Sequence, residues 1–454
     1  MSHSPKAESP ATNSRRDFIR NSGLLVAGSA IAGGQLAMTR SAHAAGSDTI
    51  KIGLVGCGGR GTQAAVQAMN TSGGEVKIVA MADVAQSRIQ GAYRTIKDRH
   101  NDKVDVPMER MFAGLDGYEK LMGTDCDLVI LATPPGFRPI HFEAAVKAGK
   151  HVFMEKPVAA DAFGVNQVLK ATEEAKKKNL AVAVGLQRRH ERKYMETVAK
   201  IQDGAIGDLI LARAYWNGSR PWLKQRQKDQ SEIEWQISNW YYFNWLSGDH
   251  INEQHIHNLD VINWIKNGYP VEANGMGGLV NQNEIRIGEI FDHHFVEFKY
   301  ADGTIMYSQC RHQQGCWNSV SEHVHGTKGR ADVSGSKIYD EAGKMLHDFG
   351  KLGADGHQQE HHDLFADIRA GRIPNEGEYG AKSTMTAILG RTATYTGQVV
   401  KWDDELKKNT KLADYKNILT FKDEAPVKPL ENGTYLQPVP GKGMVTFSLP
   451  GAKP

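Results

Sequence analysis

Three scarcities bound what this 454-residue chain can be. It has four cysteines, Cys57, Cys126, Cys310 and Cys316, and no CxxC pair among them, so a disulfide framework is not indicated. Its formal charge is only +3, with no basic block interleaved with aromatics, which argues against a nucleic-acid partner. No run beyond the first forty residues is apolar enough to span a bilayer, so the mature protein is expected to be soluble and free of membrane. Internal repeats are absent as well.

What is present begins at the amino terminus. The run Ser14-Arg15-Arg16-Asp17-Phe18-Ile19-Arg20 precedes a weakly apolar stretch, Gly23 to Ala37, and the small-x-small pattern Ala42-His43-Ala44. This order reads as a twin-arginine signal peptide over residues 1–44, cleaved before Ala45. The stretch is too short and too rich in Gly and Ser to serve as an anchor. The expected location is therefore the periplasm or another exported compartment. The route resembles the one that exports folded, cofactor-loaded proteins.

From Thr49 the pattern alternates. Strands are expected at Ile50–Val55, Val76–Ala82, Asp127–Ala132, His151–Met154 and Leu180–Gly185. Helices fall between them at Thr62–Met69, Ile140–Ala148 and Ala159–Lys178. Such alternation predicts a doubly wound parallel sheet over residues 45–188. Beyond Arg189 the rhythm changes. Strands at Leu209–Trp216, Phe291–Tyr300 and Thr304–Cys310, with Asp302-Gly303 as a hairpin turn, predict an α+β domain with a mainly antiparallel sheet over 189–400. Residues 401–454, lysine-rich and then proline-punctuated, read as an extended arm.

The loop Gly56-Cys57-Gly58-Gly59-Arg60-Gly61 lies between the first strand and a helix, which is where a dinucleotide loop belongs. Gly56 permits the tight turn, Gly58 lets backbone approach a pyrophosphate, and Gly61 lets the helix pack against the sheet. The helix N-terminus then offers free N–H groups to the phosphates. Asp83, ending the second strand, is placed to accept from a ribose diol, which favours NAD; Arg60 and Arg88 leave NADP open. Thr133-Pro134-Pro135 closes the third strand, at the crevice where a nicotinamide ribose would rest.

Glu155-Lys156-Pro157 ends the next strand. GxGxxG, Thr-Pro-Pro and Glu-Lys-Pro in this order resemble the Gfo/Idh/MocA oxidoreductases, and Gly185-Leu186-Gln187-Arg188-Arg189 matches that family's following strand end. The resemblance spans about residues 50 to 400. It implies a Rossmann domain followed by a large open sheet whose face covers the nicotinamide. It also implies that Glu155 and Lys156 border the cofactor, that Lys156 contacts a substrate hydroxyl, and that Pro157 follows a cis peptide bond. Relatives cover the free sheet face by dimer or tetramer contacts, so a homo-oligomer is expected.

Read as one helix, His250, Glu253, His257 and Asp260 fall at steps of three and four and share a face. The family pattern sets an acid four before and another three after a histidine, places filled by Glu253, His257 and Asp260. Glu253 stands where the family usually has Asp, and His255 where it usually has Gly. A base near neutral pKa must take the proton of a carbinol as its hydride leaves. His257 is assigned as that base, Lys156 as polariser and relay, and Glu253 and Asp260 as orienters. No metal is required, but His250, Glu253, His255 and His257 form an alternative ligand set. The aromatics Trp216, Trp222, Trp235, Trp240, Tyr241, Tyr242 and Trp245 suit either sugar C–H surfaces or core packing. His361 is open to the same two readings.

The expected activity is an NAD(P)-dependent oxidoreductase of a sugar or polyol hydroxyl. Fresh nucleotide is not expected outside the cytoplasm, so the cofactor should be non-dissociating. The alternative is a redox-neutral glycoside hydrolase that oxidises, eliminates and reduces on the same scaffold. A carbohydrate-binding protein with a structural nucleotide is third, since a binder has no use for Lys156 beside His257.

Overall fold

The computed structural model describes residues 49–280, 288–353 and 355–441. The signal segment therefore lies outside the described residues. Six strands, β1 (Ile50–Val55), β2 (Val76–Asp83), β3 (Met111–Ala113), β4 (Leu128–Leu131), β5 (His151–Met154) and β6 (Val182–Val184), form one sheet in the order β3-β2-β1-β4-β5-β6. Every pairing is parallel. The reversal of order between β1 and β4 creates the crevice at the strands' carboxyl ends.

Burial on both faces explains the near-continuous apolar strands. Ile52, Leu54, Ile130 and Phe153 pack with Ala64 and Val66 of the helix Gly59–Met69 and with Leu364 and Phe365 of the helix Gly356–Arg369. Val55, Val129, Leu131 and Met154 pack on the other face with Phe142 and Val165, and with Met385 of the helix Gly377–Thr396. Two helices late in the chain thus return to build the first domain's core.

The remaining strands are β7 (Leu209–Gly218), β8 (Glu272–Gly278), β9 (His293–Lys299), β10 (Ile305–His312), β11 (Ser319–Gly326), β12 (Gly329–Asp332), β13 (Lys337–Asp340), β14 (Met345–Asp348) and β15 (Val400–Lys401). They form a nine-stranded sheet, β14-β13-β12-β11-β7-β10-β9-β8-β15, antiparallel except for β10 on β7. The turn at Asp302-Gly303 joins β9 to β10, with Gly303 at φ +86°. Strict alternation along β10 turns Met306 and Cys310 into a core with Ala214, Phe298 and Val324. The other face stays half-exposed, as one-sided antiparallel sheets allow.

The aromatic segment divides in its placement. Tyr241, Phe243 and Trp245 are buried with Leu412, Tyr415, Val427 and Tyr435 of the carboxyl-terminal arm. Trp216, Trp222 and Trp240 instead line the cleft between the sheets. Among the described residues no helix is long and apolar enough to cross a membrane.

Candidate active site

A cavity of about 1060 Å³ runs from the glycine loop to the second domain. Gly56, at φ +98°, sits so close to the Ala132 backbone that a side chain there would collide with it. A Cβ on Gly61 would overlap the Gly56 carbonyl. Gly58 differs: a Cβ there would meet nothing of the protein nearer than Arg88 Nη1, at 3.9 Å. The helix Gly59–Met69 has no side-chain cap and no acid in its first turn. Its first N–H groups are thus left for an anion that approaches along Gly58, which fits a pyrophosphate.

Asp83 is aimed by the loop itself. Its Oδ2 accepts from Cys57 N at 2.8 Å and its Oδ1 from Ala85 N at 3.1 Å. Arg60 lines the cavity, but its guanidinium turns down to Glu155, to Gln67 Oε1 at 2.9 Å and to Glu360 at 3.4 Å. Those contacts commit the charge that a 2′-phosphate would need. Arg88, Arg99 and Lys224 also line this end of the cavity. Burial, with Arg88 adding to it, lowers the Lys224 pKa, and Asp83 opposes the shift.

Thr133, Pro134 and Lys156 line the cavity at the ends of β4 and β5, and the Lys156–Pro157 peptide is cis. Buried Arg138 ties these two ends together by donating to the carbonyls of Thr133 and Pro157. Lys156 Nζ donates to the Glu253 carbonyl at 2.5 Å and to Glu253 Oε1 at 3.0 Å. An ammonium has three N–H donors, so one remains for a bound group. The bulk of Glu155 lies behind the wall, against Arg60 and beneath Gly185, where a Cβ would press on its carboxylate.

The histidine segment is not one helix. It divides into His250–Glu253 and Ile256–Lys266. At the break His255 N donates to His250 O at 3.2 Å, an i→i+5 bond, before Asn258 N resumes on His255 O at 2.9 Å. One inserted residue rotates the second helix against the first by roughly 100°. Glu253 and Gln254 therefore face the cavity, while Asp260 does not. Asp260 takes a bidentate pair from Arg189, both bonds 2.9 Å, and the Ser383 hydroxyl at 2.7 Å. It makes no hydrogen bond to His257 among the described residues, so orienting that ring is not its place in this geometry.

His257 is buried against Trp216, a cavity wall, with ring centroids 5.9 Å apart. Burial, then the charges of Lys156 and Arg188, push its pKa well below the usual imidazole range. It is therefore neutral near pH 7, but a weaker base than the near-neutral imidazole expected of a general base. His255 bonds Ser308 Oγ at 2.7 Å, and His250 lies beside Asp249 and His294. The set His250, Glu253, His255 and His257 thus points in separate directions and does not converge on a metal. His361 packs its ring on Phe153 at 4.2 Å, deep in the first core. Lys224, Gln254 and Arg138 line or brace the cavity and no motif singles them out; their placement is tertiary.

Two sequence comparisons bear on this arrangement. Residues 50–186 match the GFO_IDH_MocA model, described as an oxidoreductase family with an NAD-binding Rossmann fold, and residues 194–332 match the GFO/IDH/MocA C-terminal domain. An inositol 2-dehydrogenase of Acidothermus cellulolyticus is 32% identical over 164 residues, 36% of this chain and 44% of that one. One of Salmonella paratyphi B is 27% identical over 224 residues, 48% of this chain and 55% of that one. The chain thus spans about half the length of the curated relatives it matches. Among solved structures, scyllo-inositol dehydrogenase of Lactobacillus casei with NAD(H) and scyllo-inositol aligns with TM-score 0.59 at 21% identity, covering 78% of this chain and 99% of that one. Aldose-aldose oxidoreductase of Caulobacter crescentus with glycerol aligns with TM-score 0.61 at 18% identity, over 78% and 99%. With both domain models matched in order over more than half of its length, the chain belongs to the GFO/IDH/MocA oxidoreductase family.

Proposed function

We propose that this protein is an exported oxidoreductase that acts on a hydroxyl of a sugar or polyol and keeps its NAD bound through successive turnovers. The observation that carries the reading is Lys156 held by Glu253 in a cavity that starts at an anion-ready glycine loop, with neutral His257 buried behind Trp216 of its wall. The Gly58 loop would hold the pyrophosphate, Asp83 the adenosine ribose, and Thr133 and Pro134 the second ribose. A nicotinamide bound there supplies the two-electron acceptor. His257 takes the hydroxyl proton, and the Lys156 ammonium stabilises the alkoxide as it forms. Glu253 holds Lys156 in place. The inositol dehydrogenases and the aldose-aldose oxidoreductase among the similar proteins support a polyol or sugar as substrate.

Asp83 beside the ribose position, with Arg60 already committed to Glu155 and Glu360, supports NAD over NADP. Cofactor retention is supported by Trp222 and Lys224, which reach over the glycine-loop cleft from the second domain. Arg15 and Arg16 support export. The half-exposed sheet face, carrying Tyr215, Phe295 and Tyr307, supports a homo-oligomer.

A redox-neutral glycoside hydrolase is the second reading. What favours it is the presence of two proton-handling groups, His257 and the Lys156–Glu253 pair. One serves the hydroxyl, and the other the C–H acidified beside the new ketone. The test begins with denaturation of purified protein and identification of the nucleotide released. About one NAD or NADH per chain is expected for a retained cofactor. Turnover is then followed with sugars and, separately, with aryl glycosides, without added nucleotide. Sustained aglycone release with no net NADH selects the hydrolase. Absence of both nucleotide and turnover refutes the proposal.

A further inference from the structure

Gly248 and Asp249 open the short helix that carries Glu253. Gly248 has φ +75°, as a glycine can. Asp249 follows at φ 72°, ψ 164°, a region essentially reserved for glycine, at a cost of about 1–3 kcal/mol for other residues. A side chain kept there must be held by its surroundings. Asp249 is fully buried, and its Oδ2 accepts from Tyr395 Oη at 2.5 Å and from Phe291 N at 3.1 Å. Two imidazoles close on the same carboxylate. His294 Nε2 lies 3.2 Å from Oδ2, and His250 Nε2 lies 3.8 Å from Oδ1.

The protons in this pocket can be followed. The Thr394 hydroxyl donates to the Arg391 carbonyl at 2.9 Å, so Thr394 Oγ1 accepts from His294 Nδ1, also at 2.9 Å. His294 Nε2 then either carries a second proton or turns a lone pair toward a carboxylate. A second proton satisfies His294 alone. It leaves His250, fully buried, with neither ring nitrogen hydrogen-bonded among the described residues. Orphaned polar groups of this kind cost about 1–3 kcal/mol each. A cation between the three side chains would take a lone pair from His294 Nε2 and from His250 Nε2, leaving only His250 Nδ1 without a partner among the described residues.

We propose that Asp249, His250 and His294 form a metal site for a divalent first-row transition ion, zinc by the chemistry of two imidazoles and one carboxylate. The three ligand atoms lie within 4.8 Å of one another. Zn–N and Zn–O bonds near 2.0–2.1 Å set neighbouring ligands about 3.3 Å apart, a spacing that His294 Nε2 and Asp249 Oδ2 meet and that the His250 ring reaches by shifting inward. Thr394 is the outer partner that fixes His294 with Nε2 facing inward. His312, whose ring lies 4.4 Å from that of His250, is not a ligand. Its nitrogens are taken by Tyr241 Oη at 2.7 Å and the Ser219 carbonyl at 3.0 Å. The ion pins the strained start of the helix His250–Glu253 to β9, and so positions Glu253 without touching substrate.

The test is elemental analysis of full-length protein without a histidine tag, grown in zinc-supplemented medium and purified without chelator. About one equivalent of metal per chain is expected, falling at least tenfold in His250→Ala and His294→Ala. Wild-type protein that carries no metal as isolated, and takes up none on refolding in excess zinc, overturns the proposal. Metal content unchanged in both variants overturns it too. If the variants fail to fold, wild-type protein refolded with cobalt decides: ligand-field absorption of a tetrahedral nitrogen–oxygen site supports the assignment, and its absence refutes it. Bound nucleotide is measured separately, so a metal-free protein that still holds NAD leaves the oxidoreductase reading standing.

Discussion

Substituting two glycines of one loop separates binding from folding. Gly58 has φ −75° and ψ −176°, extended backbone that alanine adopts freely. Gly58→Ala removes unfolded-state freedom, a gain of about 0.4–1 kcal/mol. It also places alanine at a helix N-cap, which opposes that gain by a similar amount. No protein atom lies within 3.9 Å of the added methyl. The nucleotide-free variant should therefore melt within about 2 °C of wild type. A pyrophosphate that must approach this backbone meets the methyl directly. An overpacking cost of about 1–3 kcal/mol weakens nucleotide binding by about 5- to 150-fold. In Gly61→Ala, helix propensity favours alanine by about 1 kcal/mol, but the methyl overlaps the Gly56 carbonyl and the loop must move. That variant should lose stability and nucleotide together. Thermal melts of stripped protein and calorimetric titration with NAD make the comparison. If Gly58→Ala binds NAD as wild type does, the pyrophosphate does not lie along this loop.

Lys156→Met should keep its nucleotide yet lose about 100- to 10,000-fold in kcat, as loss of a charge-stabilising group does; unchanged turnover removes Lys156 from the chemistry. Asp260→Asn strips a buried partner from Arg189 and should cost about 3 kcal/mol of stability, read by denaturant titration. A fall in kcat at unchanged stability would instead restore Asp260 as the orienter of His257. Stability should fall below pH 6.5, because burial pushes His141 and His255 down to about 3 and His312 to about 4. The unfolded chain binds those protons from pH 6.5 downward and the native protein does not, so each contributes a loss of about 2 kcal/mol by pH 5. His190 has the opposite sign. Against the burial that would lower it, Asp363 and Glu376 raise it to about 10, so its contribution is present below pH 6.5 and lost as pH rises toward 10. Melting temperatures from pH 4 to 10 should show a dome, and a flat profile between pH 7 and 5 refutes the histidine account.

The parallel sheet was legible because burial on both faces forces apolar runs such as Ile50–Val55 and His151–Met154. Edge strand β3 was not, since its three residues, two half-buried and one exposed, carry neither a run nor an alternation. Glycine loop, Asp83 and Lys156 were legible because their work needs particular residue types at fixed offsets. Partners such as Arg189 for Asp260, or Arg60 for Glu155, lie 71 and 95 residues apart, and nothing local in the sequence pairs them. The same holds for His294 beside Asp249.

The break at Gln254 is the most consequential feature that periodicity concealed. The spacing of His250, Glu253, His257 and Asp260 fits an unbroken helix, and no Gly or Pro interrupts it. In an unbroken helix all four would crowd one face, with two carboxylates competing for the same cation. The i→i+5 turn at His255 separates them. Glu253 stays on the cavity side, where it holds Lys156, and Asp260 turns toward Arg189 and Ser383, where it braces the second domain. His257, just past the turn, is left without an acidic partner among the described residues. That isolation, together with burial, keeps the imidazole neutral. A carboxylate on Nδ1 would raise its pKa toward neutrality and strengthen it as a base; without one, His257 accepts a proton only weakly, and the Lys156 ammonium must carry more of the alkoxide's charge. The turn thus divides one sequence stripe between a frame, Glu253 and Asp260, and a buried neutral imidazole, His257.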